Sequence, residues 1–173
     1  VVQKQAYGSQ GEVVWQEADN ASRYSGISDW TVSMGHMDTV LPNADTVSLV
    51  VAWFGTDLRA GLCEVEPRVE AQNQFTDIPW VVSGLTVETA NEVSRTPDDR
   101  PAYGSTPADV AVIEAIKDLQ ARGKRVILYP FVMMDITSDQ ALPDPSGEGE
   151  QGAYPWRGRI TPRSGENVAA EVA

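Results

Sequence analysis

The chain has 173 residues, 42% of them hydrophobic, which suits one domain with a core and attached arms. A formal net charge of −12 is repelled by polyphosphate and by anionic lipid, so neither nucleic-acid binding nor membrane docking is expected. The single cysteine, Cys63, cannot form an internal disulfide, and no apolar run approaches the about 20 residues of a membrane span.

The chain starts at Val1 rather than methionine, as a segment cut from a longer protein would, and VVQKQAYGSQ lacks the pattern of a signal peptide. Residues 1–45 read as an irregular N-terminal arm or packing segment. Val1–Gly11 is polar and without period, Val13–Trp15 suffices for a short strand or a packed turn, and Trp30, Met34, Met37 and Leu41 can anchor a short helix among many turn formers. His36 is the only histidine and has no companion ligand nearby, so no metal site is expected.

Regular structure begins at Thr46. VSLVVAWFG is a short β-branched run ended by Gly55, as in an interior parallel strand. CEVEPRVE alternates enough for an extended, half-exposed piece, and IPWVVS before Gly84 is a second strand candidate. Leu85–Asp99 is polar and irregular. From Arg100 to Asp135 the chain reads as loop, helix, tight turn and strand. Thr106 is the candidate N-cap with Pro107 at the first helical position, and Asp109 lies in the first turn. Val112, Ile113, Ile116 and Leu119 form one apolar stripe, and Gly123 suits the left-handed residue that ends a helix. Val126–Met134 is then nearly all apolar, interrupted only by Pro130. A doubly apolar strand after an amphipathic helix predicts a parallel sheet covered by helices, hence an α/β fold. Beyond it, Thr137–Gly165 is dense in proline and glycine and reads as a long loop. Its DPSGEGEQG half is expected to be mobile, and its AYPWRGRIT half offers side chains that can dock. Residues 163–173 form a tail whose ENVAAEVA could start a helix.

If the three apolar strands are parallel neighbours, their C-terminal ends matter most, because α/β folds build their sites there. The first delivers Thr56, Asp57 and Arg59, the second Ser83 and Gly84, the third Asp135. Asp57 and Asp135 can face one crevice as paired carboxylates do in sugar hydrolysis, or they can cap loops and pair with Arg59 or Arg157, the commoner use of such residues. Cys63 has no local histidine to activate it. No nucleotide-binding or serine-hydrolase motif is present, so no cofactor is expected. Tyr154 and Trp156 beside Arg157 can stack on a sugar or a partner, or pin the loop to the core.

Several blocks in the range Thr46–Thr161 resemble one family: SLVVAWFGTDLRAGLCEVEPRVE, RPAYGSTPADVAVIEAIKDLQARG, VILYPFVMMDI, LPDP and AYPWRGRIT. They are similar to the glycosidase-like TIM-barrel region of the large tail-tip protein, the megatron, of gene transfer agents and related siphophages. The resemblance implies that residues 46–162 are a partial or reduced (β/α) barrel-like unit with parallel strands, about three of the eight units of a full barrel. It further implies a structural part of a virion tail tip, hub and fibre, that helps host attachment, envelope penetration or DNA delivery. The expected partners are other tail proteins (hub and distal tail), further copies of this chain in a homotrimer, and a cell-envelope glycan. The alternative is a glycan hydrolase using Asp57 or Asp135, or a carbohydrate-binding module using Tyr154, Trp156 and Arg157. The carboxylates that barrel glycosidases carry on later strands have no counterpart here, so the reading leans away from an enzyme.

Overall fold

A computed structural model describes residues 2–7, 10, 13–18, 21–22, 26–137, 139–145 and 149–153. In chain order its elements are β1 (Val2–Tyr7), β2 (Val13–Ala18), α1 (Asp29–Val40), β3 (Thr46–Gly55), β4 (Val65–Glu66), β5 (Arg68–Val69), β6 (Phe75–Thr76), β7 (Val81–Val82), β8 (Leu85–Thr86), β9 (Asn91–Glu92), α2 (Asp109–Ala121) and β10 (Arg125–Met134).

The spine is the pair β3 and β10. They run parallel and in unbroken register from Thr46 opposite Arg125 to Gly55 opposite Met134. The β-branched runs thus pair as their composition predicts. The turn before β10 delivers it to the ladder: Gly123 is left-handed at φ 72°, its N–H donates to the Gln120 carbonyl, and the Lys124 N–H donates to that of Leu119. The Arg125 N–H then donates to the Asp45 carbonyl at 2.7 Å, beside the first ladder pair. Pro130 is tolerated because β10 is the edge of the order β10-β3-β4.

The helix opens later than the sequence suggests. Ala108 is its N-cap residue and makes no side-chain cap. Thr106, the candidate cap, is fully buried elsewhere. Its N–H donates to the Arg68 carbonyl at 2.8 Å, its hydroxyl accepts from the Arg68 N–H, and its carbonyl accepts from Trp80 Nε1 at 2.7 Å. Three tertiary bonds outweigh one local cap. Asp109 does stand in the first turn, where its carboxylate accepts from the Ser83 N–H.

The second strand candidate is not a third parallel strand. Val81–Val82 pairs antiparallel with Leu85–Thr86 across a tight turn in which Ser83 and Gly84 both have positive φ, 51° and 84°. That is the backbone of a two-residue hairpin, which the Ser-Gly pair permits. Ser83 and Gly84 therefore do not flank the ends of β3 and β10. The N-terminal arm is also less irregular than its composition suggests. β1 pairs antiparallel with both β2 and β6, and α1 follows with Ser28 as N-cap. VQKQAY has no apolar alternation to announce a strand; its order comes from partners on either side.

Trp53 and Phe54 are adjacent in β3 and so point to opposite faces of the sheet. Each anchors a small core. Trp53 packs on Val69, Trp80, Val82 and Ala90, while Phe54 packs on Val93 and Tyr103 with Met133 alongside. The Phe54 and Tyr103 rings tilt at 60° with centroids 5.5 Å apart, and the Tyr103 hydroxyl donates to the Met134 carbonyl. The C-terminal ends of the strands are therefore covered on both faces. Further back they are not, although α2 packs against both strands: Val50 is 53% exposed, Ile127 51%, Leu128 50%, Tyr129 50% and Val132 43%. The described residues make a mixed α/β fold with a small parallel sheet and few helices, and their strands do not close into a barrel.

Candidate functional site

Both aspartates anticipated at the strand ends stand there, and both are buried. Asp57 follows β3 at the start of a turn in which the Thr56 N–H donates to the Glu64 carbonyl and the Thr56 hydroxyl accepts from the Glu64 N–H. Arg59 folds back on Asp57. Its Nη2 reaches Oδ2 at 2.6 Å, its Nε reaches both oxygens, and its backbone N–H donates to Oδ1 at 2.8 Å. Gln151 completes the shell with Nε2 donating to Asp57 Oδ1 at 2.7 Å. The Arg59 hydrogen bonds hold the Asp57 carboxyl well below the usual carboxylate range, with Gln151 helping and burial opposing.

Gln151 does more than ligate Asp57. Its Oε1 accepts from the Leu58 N–H, its Nε2 also donates to the Pro143 carbonyl, and its own N–H donates to the Leu142 carbonyl. Pro143 and Glu150 form an antiparallel bridge, and the Asp144 N–H donates to the Gly149 carbonyl. The described flanks of the loop after β10 are thus stitched together and fixed to the turn after β3.

Asp135 extends the ladder, its N–H donating to the Gly55 carbonyl at 3.0 Å. Its Oδ2 accepts from Arg68 Nη1 at 2.8 Å and from the Ser94 N–H at 2.9 Å. Arg68 Nε reaches back to Glu66 Oε1 at 2.8 Å, and Asn91 Nδ2 donates to both Glu66 oxygens. Arg68 is thus shared between two carboxylates, where it fastens β5 and β9 to the end of β10. Among the described residues, Asp135 Oδ1 and Ser94 Oγ are buried side-chain atoms without a hydrogen-bond partner.

Chemically, the two aspartates belong to different ion pairs, Asp57 with Arg59 and Asp135 with Arg68. Asp57 accepts five hydrogen bonds and is held ionised, so it has no proton to donate near neutral pH. Cys63 donates weakly to the Glu64 carbonyl at 3.6 Å, and His36 is exposed on α1. Among the described residues, no group of three or more His, Cys, Asp or Glu side chains is placed to hold a metal ion, and no helix is long and apolar enough to cross a membrane. Tyr154, Trp156 and Arg157, the candidate contact residues, lie outside the described residues, as does the 163–173 tail. Sequence reasoning passed over Gln151, Arg68 and Ser94. Arg68 had a faint signal, because Glu66 and Arg68 share one side of an alternating stretch; Gln151 in a glycine-rich loop had none. Comparison of the chain with protein-family models and with curated proteins gives no match.

Proposed function

We propose that the chain is a structural component of a phage or gene-transfer-agent tail tip, a reduced (β/α) barrel-like unit that works inside an oligomer rather than as a free enzyme. The observation that carries this reading is the uncovered length of β10 and β3. Leu128 and Val132 lie on one face of β10 and Ile127 and Tyr129 on the other, each about half exposed, on a ten-residue edge strand. A monomer gains nothing from leaving such an edge open, and long apolar edges invite strand pairing. Further strands of the same chain, further copies of it in a homotrimer, or neighbouring tail proteins in the virion would cover it. The blocks similar to the megatron barrel region include both of these strands.

The hydrolase alternative has less behind it. It requires one carboxyl that can donate a proton and another aimed at the sugar, whereas Asp57 is ionised against Arg59 and Asp135 is closed in by Arg68 and Ser94. The carbohydrate-binding alternative rests on Tyr154, Trp156 and Arg157 alone.

The test is to introduce Leu128→Lys and Tyr129→Lys into the protein within particle-producing cells. Particles should lack the tail tip or lose DNA delivery, while the purified variant keeps the circular dichroism of the parent. Normal particles from these variants, or a monomeric parent chain that cleaves envelope glycan, would remove the reading.

A further inference from the structure

We propose that α1 is a strap held on α2 by an exposed ionic clasp, so that raising ionic strength releases it while the β3–β10 spine stays folded. Two observations carry the proposal. First, α1 has no buried residue along its 12 positions. Trp30, Val32, Met34 and Met37 are partly covered and none is fully buried, so no sealed apolar anchor locks the helix in place. Second, its attachments are polar and converge on one place. Trp30 Nε1 donates to Asp118 Oδ2 at 2.8 Å. Arg122 Nε donates to that same oxygen at 2.9 Å, and its Nη1 reaches Asp38 Oδ2 at 2.7 Å. Lys124 Nζ stands 3.7 Å from Asp38 Oδ1 and also donates to the Ala44 carbonyl. A single guanidinium therefore bridges a carboxylate of α2 and a carboxylate of α1.

The strap has a local turn at its start and runs into the spine at its end. Ahead of it, Ala21 bridges Ser28 and the Ser22 N–H donates to the Ile27 carbonyl; behind it, the chain enters β3. The helix also carries its own N-cap, the Ser28 hydroxyl accepting from the Thr31 N–H. Released from α2, a helix of 12 residues is marginal in water and frays, which opens its amides to exchange while the rest of the fold stays in place. The clasp charges are partly open to solvent, 26% for the Arg122 side chain and 40% for that of Asp38, so counter-ions compete for them directly. Lifting exposes the Trp30–Met34–Met37 stripe and the flank of α2 bearing Asp118 and Arg122. This inference stands independently of the tail-tip reading.

The experiment is hydrogen exchange, followed by mass spectrometry, on the whole chain. Between about 50 mM and about 1 M sodium chloride, where the screening length shrinks to about 3 Å, exchange in 29–41 should accelerate roughly five- to tenfold. Exchange in 109–121 and 125–134 should not change. Asp38→Asn and Arg122→Met should each reproduce the fast exchange at low salt and flatten the salt response. Salt-insensitive exchange in 29–41 overturns the proposal. So does acceleration shared equally by α1, α2 and β10, since the event would then be global. If one variant proves unfolded by circular dichroism, the other and the salt series on the parent chain still decide.

Discussion

Replacing Arg68 by methionine tests the claim that the strand ends are held by buried charge pairing. The Arg68 side chain is 5% exposed and that of Asp135 0%, and Arg68 gives Asp135 two donors, to Oδ2 at 2.8 Å and to the backbone carbonyl at 3.3 Å. Methionine fills much of the same volume but supplies no donor. Asp135 would keep the Ser94 N–H on Oδ2, while its Oδ1 already has no partner. A buried carboxylate stripped of its cation costs about 3–5 kcal/mol, against a total stability of about 5–15 kcal/mol for a domain. With a urea slope of about 2 kcal/mol per molar, the midpoint should fall by about 2 M. The paired variant Arg68→Met with Asp135→Asn removes both buried charges and leaves the Ser94 N–H its acceptor, so it should recover at least half of the loss. Urea denaturation of the three chains, read by circular dichroism, settles the matter. A single-variant loss below about 1 kcal/mol, or a double variant as unstable as the single, would refute the reasoning.

Three further substitutions probe other parts of the frame. Leu119→Ala, at the one fully buried side chain of α2, should cost about 2–5 kcal/mol in urea denaturation, whereas Ile113→Ala on the exposed side should cost well under half of that. Gly55→Ala sets a Cβ 2.9 Å from Cys63 Sγ and from Met134 Sδ and Cε, so it should lose about 1–3 kcal/mol, part of which Cys63→Ala restores. For Asp57 the folded carboxyl lies below the unfolded value of about 3.9, so the unfolded chain binds more protons and stability increases as pH rises through that interval. The contribution is present above about pH 4 and disappears as pH falls towards the folded value; urea midpoints measured across this range should show a flatter slope for Asp57→Asn.

How much was legible in the chain follows from where the signal resides. VSLVVAWFG and RVILYPFVMM carry their strand tendency in their own β-branched and aromatic residues, and parallel pairing follows from their being apolar on both sides. The stop at Gly123 was equally local. The start of α2 was not, because Thr106 is claimed by Arg68 and Trp80, residues 38 and 26 positions away. Val-Val-Ser-Gly-Leu-Thr did contain a hairpin signal, two short runs separated by a residue pair ending in glycine. It was outweighed by the apolar look of IPWVV. The aspartates could be placed at the strand ends from spacing alone, and Arg59 as partner of Asp57 was anticipated. That Arg68 would claim Asp135 depends on β5 lying against β9 through two residue pairs only, an arrangement too short to leave a periodic trace.

The position of those ion pairs bears on where this protein can meet anything else. In parallel α/β folds the crevice beyond the carboxyl ends of the strands is normally left for a ligand. Here each end is closed by another part of the chain. Asp57 holds Gln151 and with it the loop flanks at 142–143, and Asp135 holds Arg68 and Ser94. The two cores anchored by Trp53 and Phe54 close the same ends from both faces. Exposed apolar surface is displaced to the other half of the spine, around Val50, Ile127, Leu128 and Tyr129. Substitutions at the two halves should therefore differ in kind. Changes at Asp57, Arg68 or Asp135 alter stability and its pH dependence, since these groups are hydrogen-bonded to other parts of the chain. Changes at Leu128 or Tyr129 leave the isolated chain's stability nearly untouched and act on whatever covers β10. A variant of Asp135 that folds normally yet abolishes assembly would reverse that division and move the contact surface to the strand ends.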